Sequence, residues 1–180
     1  MAVADGAAYS RSVRGAATPS GFRERTPQRI EVLLVCSAGG HLLQLVLLSA
    51  AWRGKSRAWV TLEREDARSL LAGERVYYAH GPTTRSVGSL VKNLALAWTL
   101  VRRLRPRVLV TTGAGVAVPF AWVARLFGAQ VVYIESLTRV EETSLSCRLI
   151  RPAASRLYVQ WPELQRSLPQ ARYVGNVLGP

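Results

Sequence analysis

The chain has 180 residues, with 49% hydrophobic and 19% charged positions, which is the composition of one globular domain. An enzyme that closes two nucleotide-fold domains around its substrates needs roughly 300 residues, at about 100 to 150 per domain, so this chain supplies at most half of one. Its net charge of +13, from 24 Lys and Arg against 11 Asp and Glu, predicts attraction to nucleic acid, an anionic membrane or a phosphate-bearing substrate.

Cysteine usage and the first residues indicate an intracellular protein. Cys36 and Cys147 lie far apart and form no CxxC or CxxH motif, so neither a disulfide framework nor a metal site is expected. Residues 1–28 are rich in small and polar residues and Arg, without an apolar period or a secretory signal, and are interpreted as a disordered basic tail. The ordered domain is expected over residues 29–180.

Strand and helix patterns alternate along that domain. A continuous apolar run over 30–35 predicts a strand buried on both faces, and a glycine turn then leads into a predicted helix over 42–52. The same reasoning predicts strands at 58–62, 75–79, 107–111, 130–134 and 156–160, helices at 65–71, 89–104, 116–127 and 144–150, and an extended piece at 172–177. This alternation predicts an α/β fold with a doubly wound, mostly parallel, Rossmann-like sheet.

Ligands of doubly wound sheets bind beyond the carboxyl ends of the strands, and the first such end carries a glycine turn. Ser37, Gly39 and Gly40 precede His41 there. The glycines allow close approach of a ligand, and the helix start offers free amides and a positive dipole end that suit a diphosphate. His41 is a candidate general base or oxyanion hydrogen-bond donor, with a capping or packing histidine as the alternative.

Two further strand ends carry candidate residues. Thr112, Gly113 and Gly115 follow the strand at 107–111, where a tight turn is the alternative explanation of the glycines. Glu135 and Ser136 follow the strand at 130–134. Glu135 is a candidate base or ligand of a sugar hydroxyl, with a structural helix-cap role as the alternative.

A dinucleotide-binding site is an alternative interpretation of the first glycine turn. Glu63 lies about 20 residues past the glycines, where a ribose-binding acid belongs. The sequence S-A-G-G-H-L nevertheless differs from G-x-G-x-x-G at two of the three glycine positions, which disfavours this interpretation.

A candidate membrane-binding face lies within residues 87–101. Its apolar members are Val87, Leu90, Val91, Leu94, Ala97, Trp98 and Val101, followed by Arg102, Arg103 and Arg105. About 15 helical residues span roughly 22 Å, short of the roughly 30 Å hydrocarbon core. The face is therefore expected to lie in the headgroup zone of an anionic membrane, unless the helix simply covers the sheet.

Four short motifs, in order, carry a family resemblance over about residues 30–177: SAGGH, TTGAG, YIES and VQWPEL. The chain resembles the acceptor-side subunit of two-part glycosyltransferases, the PssD type of bacterial exopolysaccharide assembly. That family is similar to the membrane-recruiting subunit of the eukaryotic dolichol-diphosphate GlcNAc transferase and to the N-terminal half of MurG-type enzymes. The resemblance implies the N-terminal half of a GT-B fold.

The resemblance also implies a division of labour. This chain would hold a polyprenyl-diphosphate-linked acceptor, while a separate donor-binding subunit would hold most of the UDP-sugar. By position, the resemblance implies that Gly39 and Gly40 line the diphosphate region at the domain cleft and that His41 faces the reacting centre. It matches Gly113 and Gly115 to a second glycine turn near the acceptor diphosphate. It assigns Glu135 to a cleft glutamate that is the first choice for activating the acceptor hydroxyl, with His41 second.

The expected function is that of an inverting, metal-independent glycosyltransferase subunit without a cofactor, active only with its partner, in exopolysaccharide or capsule biosynthesis. Attachment is expected to be peripheral, at the inner face of the plasma membrane. The alternative is a non-catalytic membrane scaffold for a complete glycosyltransferase. Nucleic acid is not an expected partner, because no recognition motif accompanies the positive charge.

Overall fold

One parallel sheet organises the protein in the computed structural model, which describes residues 29–82 and 86–179. The tail predicted for residues 1–28 lies outside the described residues. The strands are β1 (Val32–Val35), β2 (Arg57–Leu62), β3 (Val76–Ala79), β4 (Val108–Thr111), β5 (Gln130–Ile134), β6 (Arg156–Val159) and β7 (Arg172–Tyr173). They pair in parallel in the order β3-β2-β1-β4-β5-β6-β7, which confirms the predicted doubly wound sheet.

Most predicted helices are present. The helices are α1 (Gly40–Leu47), α2 (Glu65–Leu70), α3 (Val87–Leu104), α4 (Ala117–Leu126), α5 (Leu145–Ile150) and α6 (Pro162–Ser167). The predicted helix over 42–52 is interrupted at Leu48 and continues as a 3₁₀ turn over Ser49–Trp52. The extended piece expected over 172–177 is a strand only at its first two residues, and the Val177 amide donates to the Gln160 side chain.

The helices cover the two faces of the sheet as separate layers. Val32 and Leu34 pack in one apolar cluster with α1 and α2, whereas Leu33 and Val35 pack in the other with α3, α4 and α5. Successive strand residues point to opposite faces. The uninterrupted apolar runs are therefore explained by burial on both sides.

The face that carries α1 and α2 is only partly covered. Beyond Trp52, an apolar trough of about 790 Å³ runs over β4, β5 and β6, with residues 174–177 as its far wall. Its floor consists of Val108, Val110, Val132, Ile134 and Tyr158. Within the described residues no helix covers this part of the sheet. We call this cavity the sheet trough.

Helix α3 has two apolar sides, where the sequence analysis predicted one. The prediction is wrong at Ala97 and Val101, which are fully buried against the sheet together with Leu100 and Leu104. The remaining residues of the predicted face are 47–75% exposed: Val87, Leu90, Val91, Leu94 and Trp98. We call these five residues the outer apolar face. The helix thus covers the core and also presents a large apolar surface.

Candidate functional site

The three predicted segments converge at the carboxyl ends of β1, β4 and β5. The Thr112 hydroxyl donates to the main-chain oxygen of His41 at 2.9 Å, which joins the β4 turn to the start of α1. Gln44 of α1 donates to Ser136 Oγ at 3.4 Å and accepts from the Leu137 amide at 2.8 Å. The candidate residues therefore lie together at one edge of the sheet, as expected for residues that follow the carboxyl ends of parallel strands.

The first glycine turn contacts a carboxylate that the sequence analysis missed. Gly39 has φ +78°, a conformation that favours glycine, and its amide donates to Asp66 Oδ2 at 2.6 Å. A Cβ on Gly39 or Gly40 would meet open space, while Ser37 is half-buried. The turn thus leaves room for a ligand beside the amino end of α1, but one of its amides is already bonded to an acid.

His41 lies at the start of α1 and is half-buried. Its Nδ1 is buried and has no hydrogen-bond partner among the described residues. Burial lowers the pKa of His41. Hydrogen bonding to the Thr112 backbone and then the charge of Glu135 partly offset this shift, and the charge of Arg139 adds to it. The imidazole is therefore neutral at pH 7 and able to accept a proton.

Glu135 is fully buried at the end of β5. Its Oε1 accepts from the Ser136 amide at 2.8 Å and the Tyr133 hydroxyl at 3.2 Å. Its Oε2 accepts from the Ser144 amide at 2.9 Å and the Ser144 hydroxyl at 3.1 Å. A carboxylate accepts about four hydrogen bonds, so these donors fill its capacity. The geometry favours the structural role of Glu135 over the role of a base. Its carboxylate joins the two ends of the loop 136–143, from the Ser136 amide to Ser144, and Ser144 caps α5.

The second glycine turn packs against the same cluster. Gly113 has φ +101°, and a Cβ there would lie 2.7 Å from the Tyr133 hydroxyl oxygen. Burial, followed by the charge of Glu135, raises the pKa of Tyr133, so the phenol stays protonated. Glycine is thus required at 113 by contact with Tyr133, whereas Gly115 is half-buried and nearer to the turn's accessible side.

Replacing Gly113 by alanine is expected to lower the free energy of unfolding by about 2 to 4 kcal/mol, from a strained φ and overpacking. Gly128→Ala is the matched control, because Gly128 has φ +83° but open space at its Cβ, so it carries only the strain of about 1 kcal/mol. Urea denaturation of both variants measures the difference. Equal losses would show that the Tyr133 contact contributes nothing.

Two buried glutamines complete the site and were not predicted. Gln44 is 7% exposed and Gln160 2% exposed, and their side chains bond to each other at 2.8 Å. Trp161 donates from its indole to the Leu137 carbonyl at 2.6 Å. These contacts hold the loop after β5 against α1 and β6. Among the described residues, no three His, Cys, Asp or Glu side chains group as metal ligands.

Comparison with solved structures defines the class of fold. The chain superimposes on MurG from Acinetobacter baumannii with a TM-score of 0.62 and 17% identity, covering 74% of this chain and 42% of MurG. It superimposes on UDP-N-acetylglucosamine 2-epimerase from Rickettsia bellii with a TM-score of 0.65 and 10% identity, covering 84% of this chain and 46% of that one. The chain spans less than half of either structure. It has a Rossmann-like α/β fold similar to that of GT-B glycosyltransferases.

Sequence comparison identifies the family. Residues 61–177 match the family described as "Oligosaccharide biosynthesis protein Alg14 like". A relative from Eremothecium gossypii is 31% identical over 86% of this chain and 82% of its own length, and one from Rattus norvegicus is 28% identical over 84% of each. Both are named UDP-N-acetylglucosamine transferase subunit ALG14. The chain belongs to the Alg14-like family.

Proposed function

We propose that this chain is the acceptor-binding subunit of a two-chain glycosyltransferase, which transfers a sugar from a UDP-sugar to a polyprenyl-diphosphate-linked saccharide. The observation that carries the proposal is family membership: the relatives are named subunits of a UDP-N-acetylglucosamine transferase. The length agrees, because the chain covers 42% of MurG. The resemblance of the four motifs supports exopolysaccharide or capsule assembly as the setting.

The strand-end site supports a direct displacement with inversion. His41 accepts the proton of the acceptor hydroxyl, whose oxygen attacks the anomeric carbon while the UDP oxygen leaves. The amino end of α1 and the open side of Gly39 and Gly40 bind the acceptor diphosphate. Ser37 and Gly115, which are half-buried, line the site, whereas Thr112, Gly113 and Ser136 are buried behind it. Glu135 positions the loop after β5 and does not touch the reacting atoms.

The donor-binding subunit docks at the sheet trough. A parallel sheet is ordinarily covered on both faces, and within the described residues Val132 and Ile134 at the floor of the trough are only half-buried. We assign its occupant as an apolar segment of the donor-binding subunit, since the relatives function as named subunits. The charged rim of Glu31, Lys55 and Arg107 offers polar contacts around that segment.

The opposite helical layer attaches the chain to an anionic membrane. Helix α3 packs against α4, and α4 packs against α5. These two neighbours expose Trp122, Leu126, Leu145 and Leu149. These three helices contain Lys92, Arg102, Arg103, Arg125 and Arg148 and no acidic residue. Apolar and basic side chains on one surface suit the headgroup zone of an anionic bilayer. Across the described residues, each helix is too short or too polar to cross a bilayer.

Co-expression with a candidate donor-binding subunit tests the proposal. Each chain alone and the pair would be supplied with radiolabelled UDP-sugar and membrane lipid, and labelled lipid would be counted. We expect transfer only by the pair. Transfer by the partner alone at the full rate would contradict the proposal and would favour a non-catalytic membrane scaffold, for which the outer apolar face is the supporting observation.

A further inference from the structure

We propose that Gln44 and Gln160 form a positioning relay, which transmits docking of the partner at the sheet trough to the start of α1 and His41. The relay rests on the proposed function, because it links the proposed docking site to the proposed base. Neither glutamine touches substrate in this scheme. Through them, the geometry of the acceptor site depends on the position of the residues that form the wall of the trough.

Gln160 connects the wall of the trough to the interior. Its Oε1 accepts from the Val177 amide at 3.0 Å, and residues 174–177 form that wall. Its Nε2 donates to Gln44 Oε1 at 2.8 Å and to the Glu135 main-chain oxygen at 2.9 Å. Both hydrogens of the amide are therefore used, and the side chain is 2% exposed.

Gln44 continues the chain of contacts to the acceptor site. Its Oε1 accepts from Gln160 and from the Leu137 amide at 2.8 Å. Its Nε2 donates to the Gly40 carbonyl at 3.1 Å and to Ser136 Oγ at 3.4 Å. Gly40 immediately precedes His41 at the start of α1. The two amides thus link Val177 to the residue before the proposed base.

The two amide orientations depend on each other. Rotating the Gln160 amide by half a turn would bring its oxygen against Gln44 Oε1 and the Glu135 carbonyl, and its NH₂ group against the Val177 amide. Two buried donors, or two buried acceptors, that face each other form no hydrogen bond, and each such group then bears its full desolvation penalty. The Val177 amide and the Glu135 carbonyl therefore favour the same orientation of Gln160, and Gln160 favours that of Gln44 together with the Leu137 amide. Docking that holds residues 174–177 in place fixes both.

Hydrogen exchange on the full chain tests the relay without relying on activity. Val177→Pro removes the amide donor without altering a buried side chain, and Gln160→Met and Gln44→Met remove each amide. We expect Val177→Pro and Gln160→Met to raise Leu137 amide exchange at least about 5-fold, and Gln44→Met to raise Val177 exchange similarly, because coupling is reciprocal. Gln165→Met is the control, since Gln165 bonds to Ala171 outside the network.

Unchanged Leu137 exchange in Val177→Pro, together with unchanged Val177 exchange in Gln44→Met, would overturn the relay. In the active pair, with the partner at saturating concentration, Val177→Pro should lower kcat about 10-fold or more. Full turnover by Val177→Pro at saturating partner would also overturn the relay. Failure of the wild-type pair to transfer sugar would instead refute the proposed function, and the exchange results would still decide whether the two amides are coupled.

Discussion

His41→Ala is expected to lower sugar transfer by the pair about 10²- to 10⁴-fold, the usual range for loss of a general base. The reason is the setting of the imidazole: its Nδ1 is buried and finds no hydrogen-bond partner within residues 29–82 and 86–179, and burial holds its pKa below 6.5. Initial rates with saturating UDP-sugar measure the effect. His80→Ala is the matched control, because His80 is exposed and lies outside the site.

The pH profile distinguishes a base from a structural histidine. As the pH falls, the neutral form of His41 persists through pH 6.5 and is lost only at its lowered pKa. We therefore expect kcat/KM to decline below pH 6.5. This acidic limb of the profile should be absent in His41→Ala. The folded state should also lose stability below pH 6.5, since the unfolded chain binds the proton first. A rate limb at or above pH 6.5 that persists in the variant would contradict the assignment.

Glu135→Ala is the companion test and should act mainly on stability. It leaves the Ser136 and Ser144 amides and the Tyr133 hydroxyl without their buried acceptor, which should lower the free energy of unfolding by about 3 kcal/mol or more. Glu141→Ala, at an exposed residue, should change it by less than about 0.5 kcal/mol. A Glu135→Ala chain that is normally stable but inactive would restore Glu135 as the base.

The fold was predictable because its signals are local. Apolar runs at 30–35 and 107–111 and the glycine turns after them are contained within a few residues, and topology rules then restrict how such units assemble. Helix α6 was missed because Leu164 is its one large apolar residue, so it shows no apolar period, whereas the equally short α2 and α5 were predicted. Its signal was present, since Pro162 at the helix start and Glu163 in the first turn are typical of a helix beginning.

The site was predictable only as a location. The bond between Gln44 and Gln160 joins residues 116 positions apart, and the Asp66 contact to Gly39 joins residues 27 apart; neither pair has a local pattern. The burial of Glu135 was equally hidden, because an acid after a strand looks the same whether it faces a cleft or a capping serine. The sheet trough was hidden too, since an apolar strand does not indicate whether a helix covers it.

The double substitution Leu94→Glu with Trp98→Glu is expected to lower binding to anionic vesicles by about 10- to 100-fold. Both side chains are 47% exposed on the outer apolar face, so each offers about half of the roughly 1.5 to 3 kcal/mol that full burial of a large apolar side chain contributes. At about 1.4 kcal/mol per factor of ten, the two losses together give that fold-change. Co-sedimentation with vesicles of phosphatidylglycerol and phosphatidylcholine measures it.

Leu70→Glu is the matched control, because Leu70 is 44% exposed on α2, in the layer on the other face of the sheet. It should bind vesicles nearly as the wild type does, and equal loss in both variants would contradict a specific membrane face.

Arg102→Gln with Arg103→Gln should weaken binding to anionic vesicles about 10-fold or more, at about 1 kcal/mol per arginine, and leave binding to neutral vesicles unchanged. Because the outer apolar face and the sheet trough lie on opposite sides of the sheet, membrane and partner can be bound together.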